Sequence, residues 1–197
     1  MKTVLIVFAL ILCLGGCVSN LGAPPKIDST YISAVDNRTQ EQKESYRDSV
    51  LSPIAVLGDE NLEPPAILFL QNALQRHQKQ RSMLNIEITE FYVIDFFPAR
   101  LHAATTTGGW LTDAIVRDSI RSNTDWAFVN AIGVPTDGNS IVILFSGKLN
   151  NKPIKVSTFS QYYASGFGAI RNDTAFIEAV KSSIDKAAVE IISKLDD

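Results

Sequence analysis

Only two cysteines occur in this chain of 197 residues, Cys13 and Cys17, both close to its start. A domain folded from the rest therefore has no thiol for a disulfide or a cysteine-based metal site. Histidine is as scarce: His77 and His102 are the only two, and neither has neighbours at a metal-ligand spacing such as HExxH. No metal and no cofactor is expected. Positive charge is not in excess either, with 18 Lys and Arg against 21 Asp and Glu and a net charge of −3. Such a chain has no electrostatic pull toward nucleic acid or anionic headgroups. Residues 4–14 form an apolar run, but a membrane-spanning helix needs roughly 20 such residues. Internal repeats and low-complexity segments are absent as well.

The usual catalytic signatures are also missing. Tyr163-Ala164-Ser165-Gly166-Phe167 has aromatic residues where the nucleophile elbow GxSxG needs glycine. Thr105-Thr106-Thr107-Gly108-Gly109-Trp110 lacks the lysine and spacing of a P-loop, and Gly166-Phe167-Gly168 meets Arg171 at the last position of GxGxxG. Glu87 and Glu90 read as solvent-side positions of a strand, and His77 as a half-buried helix residue. A triad can still assemble in space without a sequence signature. A periplasmic or surface hydrolase using His102 and Ser165 is the alternative that such an arrangement leaves open.

What the chain does have is an address. Lys2 precedes the apolar run, and Leu14-Gly15-Gly16-Cys17 closes it. A charged start, an apolar stretch of this length and small residues before a cut site make a secretory signal. The closing tetrapeptide resembles the lipobox of bacterial lipoproteins. That resemblance implies lipidation of Cys17 and cleavage just before it, with residues 1–16 removed. The remaining chain, about 180 residues, suits one domain. Acyl chains contribute about 0.8 kcal/mol per buried CH₂, and two or more hold a protein firmly at a bilayer. The lipid bilayer, through acylated Cys17, is thus the first expected partner. Val18 follows the cysteine where an aspartate would favour inner-membrane retention, which implies an outer-membrane location. Residues 17–26, with Pro24 and Pro25, read as a short tether, and residues 27–197 as one periplasmic domain.

Periodicity fills in that domain. Strands are expected over 27–35 and 51–57, and helices over 66–80 and 173–195. The second helix carries Ile177, Val180, Ile184, Ala188, Ile191 and Leu195 on one stripe. The polar segment 39–49 is either an exposed helix or a loop. Residues 84–97 alternate with period two until the phase slips at Glu90, as a bulge would cause. A helix over 110–122 and strands over 126–132, 140–149 and 153–163 follow. Asn150-Asn151 suits a tight hairpin, because asparagine tolerates positive φ. The order of elements predicts an α+β fold: a mostly antiparallel sheet, helices packed on one face, and a C-terminal amphipathic helix. Tyr162, Tyr163 and Phe167, around a glycine-containing loop, form a candidate docking or apolar-ligand surface, since aromatics with polar tips favour interfaces.

The lipobox, a first strand ending in Val35-Asp36-Asn37-Arg38, Leu57-Gly58-Asp59 ahead of a proline-led helix, and a late meander closed by a helix together resemble small outer-membrane lipoproteins. The YajG-like group is similar, and more loosely the LptE-like and transporter-auxiliary lipoproteins. Thr39 to Ser49 and the 105–109 loop depart from their pattern. The resemblance implies an accessory or assembly role without catalysis, and an envelope protein as partner. If Cys17 carries the lipid, labelled palmitate enters the wild-type chain and not Cys17→Ala. Equal labelling of both contradicts the assignment.

Overall fold

The computed structural model describes residues 18–46, 54–78, 83–97, 138–163 and 173–195. Its centre is one long strand, β5 (Leu84–Phe96). One edge of β5 pairs antiparallel with β6 (Asn139–Leu149), which pairs antiparallel with β7 (Lys152–Tyr162). The other edge is divided. β2 (Ile32–Asp36) runs parallel to the first half of β5, from Leu84 to Ile88. β3 (Ile54–Leu57) runs antiparallel to the second half, from Val93 to Phe96. Two helices, α2 (Ala66–His77) and α3 (Asp173–Ser193), pack together, and α3 lies along β6 and β7. The architecture is the expected α+β fold, with one parallel pair in an otherwise antiparallel sheet.

The phase slip at Glu90 is a bulge. Ile88 pairs with Gly147 and Glu90 with Ser146, so Thr89 is left over; its hydroxyl donates to the Ser146 carbonyl at 3.1 Å. Before the bulge, Leu84, Ile86 and Ile88 face the helices, and after it Phe91 and Val93 do, so even positions hand over to odd. Glycine is required opposite: a Cβ on Gly147 would collide with the Glu87 carbonyl. The other face of the second half holds a smaller cluster of Ile94, Phe96 and Val142. At the far end of β6, Asn150 and Asn151 take φ of 48° and 69°, the left-handed pair that a two-residue hairpin needs.

Helix burial follows the sequence pattern. Ile67, Leu70 and Leu74 of α2 are buried. In α3 the buried stripe is broader than the apolar residues alone mark: Ala179, Ser183 and Ala187 lie in it, and Ile177 and Leu195 sit half-buried at its margins. Those small residues bring the helix close enough to the sheet for side chains to bond backbone. Ser183 Oγ donates to the Ile141 carbonyl, and Thr158 Oγ1 donates to the Ser183 carbonyl, both at 2.9 Å. Arg76 and His77, at the end of α2, both meet Asp185 Oδ1 of α3 at 2.9 Å.

One open alternative resolves, and one expectation changes. The polar segment after Arg38 contains a short helix, α1 (Gln40–Lys43), held by a capping box between Thr39 and Gln42. The tether is not free, and the described domain starts at Ser19 instead of Ile27. β1 (Ser19–Asn20) pairs parallel with β4 (Leu62–Glu63), and Leu21 is 1% exposed. Burial of that one leucine outweighs the flexibility that prolines and small residues suggest for this stretch. The predicted helix over 110–122 and strand over 126–132 lie outside the described residues.

The two strands that share β5 are joined by a buried arginine. The Arg38 side chain is 2% exposed and forks onto both carboxylate oxygens of Asp36, at 2.9 and 3.0 Å. Its Nη atoms also reach Asp59, at 2.9 and 3.3 Å, in the 3-10 turn (Asp59–Asn61) that follows β3. The guanidinium lies 5.8 Å from the Phe91 ring centroid. Partial burial pushes the Asp36 carboxyl up, but the Arg38 hydrogen bonds and charge outweigh it and hold Asp36 below its ordinary range. A depressed carboxylate stabilises the fold above its unfolded pKa, about 3.9, and that contribution disappears as the pH falls through the lower, folded value. Because both partners are about a third exposed, Arg38→Met is expected to cost about 2–3 kcal/mol in urea unfolding, at the low end for breaking a buried pair. Adding Asp36→Asn and Asp59→Asn should recover part of that loss and flatten the acid limb of the wild-type stability profile. An unchanged midpoint in Arg38→Met contradicts the assignment.

Candidate functional site

The parallel ladder of β2 fixes which of its backbone groups are used. Leu84 N–H donates to the Tyr31 carbonyl at 3.0 Å, and Asn37 N–H donates to the Ile88 carbonyl at 2.9 Å. In a parallel pair the bonding residues alternate. Ser33 and Val35 therefore turn their N–H and C=O toward β5, while Ile32, Ala34 and Asp36 turn theirs away. Among the described residues no strand occupies that outer side, and β2 ends their sheet order. The strand holds no lysine, proline or bulge, the devices that normally blunt an edge, and Val35 is 52% exposed.

The other edges are treated differently. β3 is covered by Tyr46, which exchanges both backbone bonds with Val56, at 2.8 and 3.1 Å. On β7 the odd-numbered residues face away from β6. The carbonyls of Lys155 and Phe159 each accept an ammonium from α3, Lys194 and Lys186 respectively, at 2.9 Å. Eight residues of helix rise about 12 Å and four residues of strand about 13 Å, so the two lysines fall in register with the two carbonyls. One edge of the sheet is capped by cations from its own helix, and the opposite edge is bare among the described residues.

Beside the bare edge, on the face away from the helices, lies a groove of about 200 Å³. It is lined by Ser33, Val35 and Asn37 along and just after β2, Asn85 and Glu87 of β5, and Lys148 and Asn151 at the β6–β7 hairpin. Glu87 Oε2 accepts from Lys148 Nζ at 2.9 Å, and Glu87 Oε1 from Asn37 Nδ2 at 3.1 Å. The Lys148 hydrogen bond and charge hold the Glu87 carboxyl below its usual range. The lining is rich in amide and charged groups that both donate and accept, around one exposed apolar side chain. An added strand would run about 4.8 Å beyond β2, with alternate side chains beside Ser33 and Val35.

The aromatic surface read from the sequence does not assemble. Tyr162 is 3% exposed, and its hydroxyl donates to the fully buried Asp95 at 2.6 Å. Its ring meets Phe176 edge-on at 5.7 Å and stacks on Phe97 at 6.5 Å. Tyr162 is a core residue because it ends β7 on the helix-facing side, where Asp95 satisfies its polar tip. Tyr163, one residue on, is 85% exposed. Phe167, Cys17, His102 and Ser165 lie outside the described residues. Glu87 and Glu90 share the outer face, as expected, because the bulge lies between them. The sequence reading missed the bare edge, since a strand's neighbours are set by distant pairing. Its one local trace is the run of seven residues without charge, Ser29 to Val35, before Asp36.

Comparison with protein-family models, with curated proteins and with solved structures gives no match.

Proposed function

We propose that this chain is a bacterial lipoprotein, held on the periplasmic side of the outer membrane by acylated Cys17, that works without catalysis. Its task on this reading is accessory: it receives an extended segment of another envelope protein as an additional strand beside β2. The lipobox supports the anchor, and the resemblance to YajG-like lipoproteins supports the class. The observation that carries the docking mode is the outward row of Ile32, Ala34 and Asp36 backbone groups, which no described strand pairs, while both other described edges are covered. Strand addition draws affinity from main-chain bonds and selectivity from the flanking pockets, here the Ser33–Val35 wall of the groove.

The edge permits a clean test. Ala34 N–H points away from β5, so Ala34→Pro leaves the internal ladder complete and removes one outward donor. Its expected effect on unfolding is within about 1 kcal/mol. A photoreactive residue at position 35 should give a discrete adduct in intact cells, and Ala34→Pro should abolish it while the protein stays folded and membrane-bound. An adduct that persists unchanged in Ala34→Pro contradicts strand addition at this edge.

A further inference from the structure

Residues 18–26, extended, would let a lipid-anchored domain range about 30 Å from the bilayer. The chain does not use that length. Ser19 and Asn20 are registered against Leu62 and Glu63. Leu21 N–H donates to the Glu63 carbonyl at 2.6 Å, and the leucine side chain packs at 1% exposure beside Leu62 at 2%. Gly22 then turns the chain at φ +96°, a conformation open to glycine, with its N–H bonded to Asn20 Oδ1 at 2.7 Å. Only Val18 separates this fixed ribbon from Cys17. Two Cα–Cα steps of about 3.8 Å place the attachment point within about 8 Å of Ser19.

We propose that the domain has no leash: acylated Cys17 seats the β1–β4 ribbon directly on the lipid headgroups and gives the domain one fixed orientation. This rests on the acylation of Cys17 put forward above. The parallel register runs back from Ser19 toward the 3-10 turn, so the chain enters from that side. Val18, 54% exposed, is an apolar side chain beside the acyl attachment. The exposed margin of the ribbon, Asn20 and Glu63, is the surface that meets headgroups.

The opposite end of the domain is equally defined. Residues 23–31 run along α2: Asn72 Nδ2 donates to the Lys26 carbonyl at 2.8 Å, and Asp28 N–H donates to Gln75 Oε1 at 3.0 Å. The segment ends beside Leu84 and the Asn150–Asn151 turn, where Asn150 N–H donates to the Asn85 carbonyl at 2.8 Å. The ribbon precedes the N-terminus of α2, and this turn lies past its C-terminus, so the two are about one helix length, roughly 18 Å, apart. The end of the groove at Asn85 and Asn151 is therefore the end far from the bilayer, where an envelope partner reaches it.

The test uses the mature, acylated chain in vesicles of phosphatidylethanolamine and phosphatidylglycerol carrying a headgroup quencher. With Cys17 blocked by its lipid, Glu63→Cys and Lys152→Cys each offer one thiol for a fluorophore. The Glu63 site should be quenched several-fold more than the Lys152 site. A flexible Gly-Ser insert between Cys17 and Val18 leaves every described contact in place and should erase the difference. Equal quenching at both sites in a protein that floats with the vesicles overturns the fixed orientation and leaves the anchor standing. A difference that survives the insert also overturns it, and a protein that fails to float overturns anchor and orientation together.

Discussion

One edge of β5 carries two strands that run in opposite directions, and the join between them organises the molecule. A parallel neighbour and an antiparallel neighbour cannot share an edge without a gap where their backbone groups stop matching. Here the gap falls beside Phe91, just past the bulge, and the Arg38 guanidinium fills it. It ties the end of β2 through Asp36 to the turn after β3 through Asp59, and donates to the Phe91 carbonyl at 3.4 Å. The bulge at Thr89 completes the device by turning the second half of β5 over. Its first half presents isoleucines to the helices, and its second half can build clusters on both faces.

The functional surfaces follow from that division. Because β2 occupies only the first half of the β5 edge, it is a short strand that ends the order of the described strands, with outer backbone groups that none of them uses. The opposite edge of the sheet is closed by α3, whose lysines fall at the spacing of the β7 carbonyls. Among the described residues one edge is thus closed and the other is open. The same economy appears in the N-terminal segment, where buried Leu21 makes a stretch with two prolines part of the domain.

Much of this was legible from local pattern. The break in alternation at Glu90 marked the bulge, Asn150-Asn151 marked the hairpin, and helical spacing marked Ile67, Leu70 and Leu74. Asp36 and Arg38 stand two residues apart, close enough to pair along one extended strand, whereas Asp59 reaches the same guanidinium from 21 residues away. The β1–β4 ribbon was hidden because two-residue strands carry no periodicity and their segment holds Pro24 and Pro25. Tyr162 and Tyr163 looked alike in sequence, yet alternation along β7 sends the first into the core onto Asp95 and leaves the second 85% exposed. The open edge of β2 was invisible for a different reason: which strands pair is decided by segments far apart in the sequence.

Amide hydrogen exchange along β2 tests the account most directly, because it reads each N–H separately. The structure requires slow exchange at Ser33, Val35 and Asn37, which donate to β5, and fast exchange at Ile32, Ala34 and Asp36, which face outward. That alternation is the expected result in the isolated mature protein. Uniform protection across residues 32–37 would mean that the outer edge of β2 is already paired, and would contradict both the open edge and the docking role built on it.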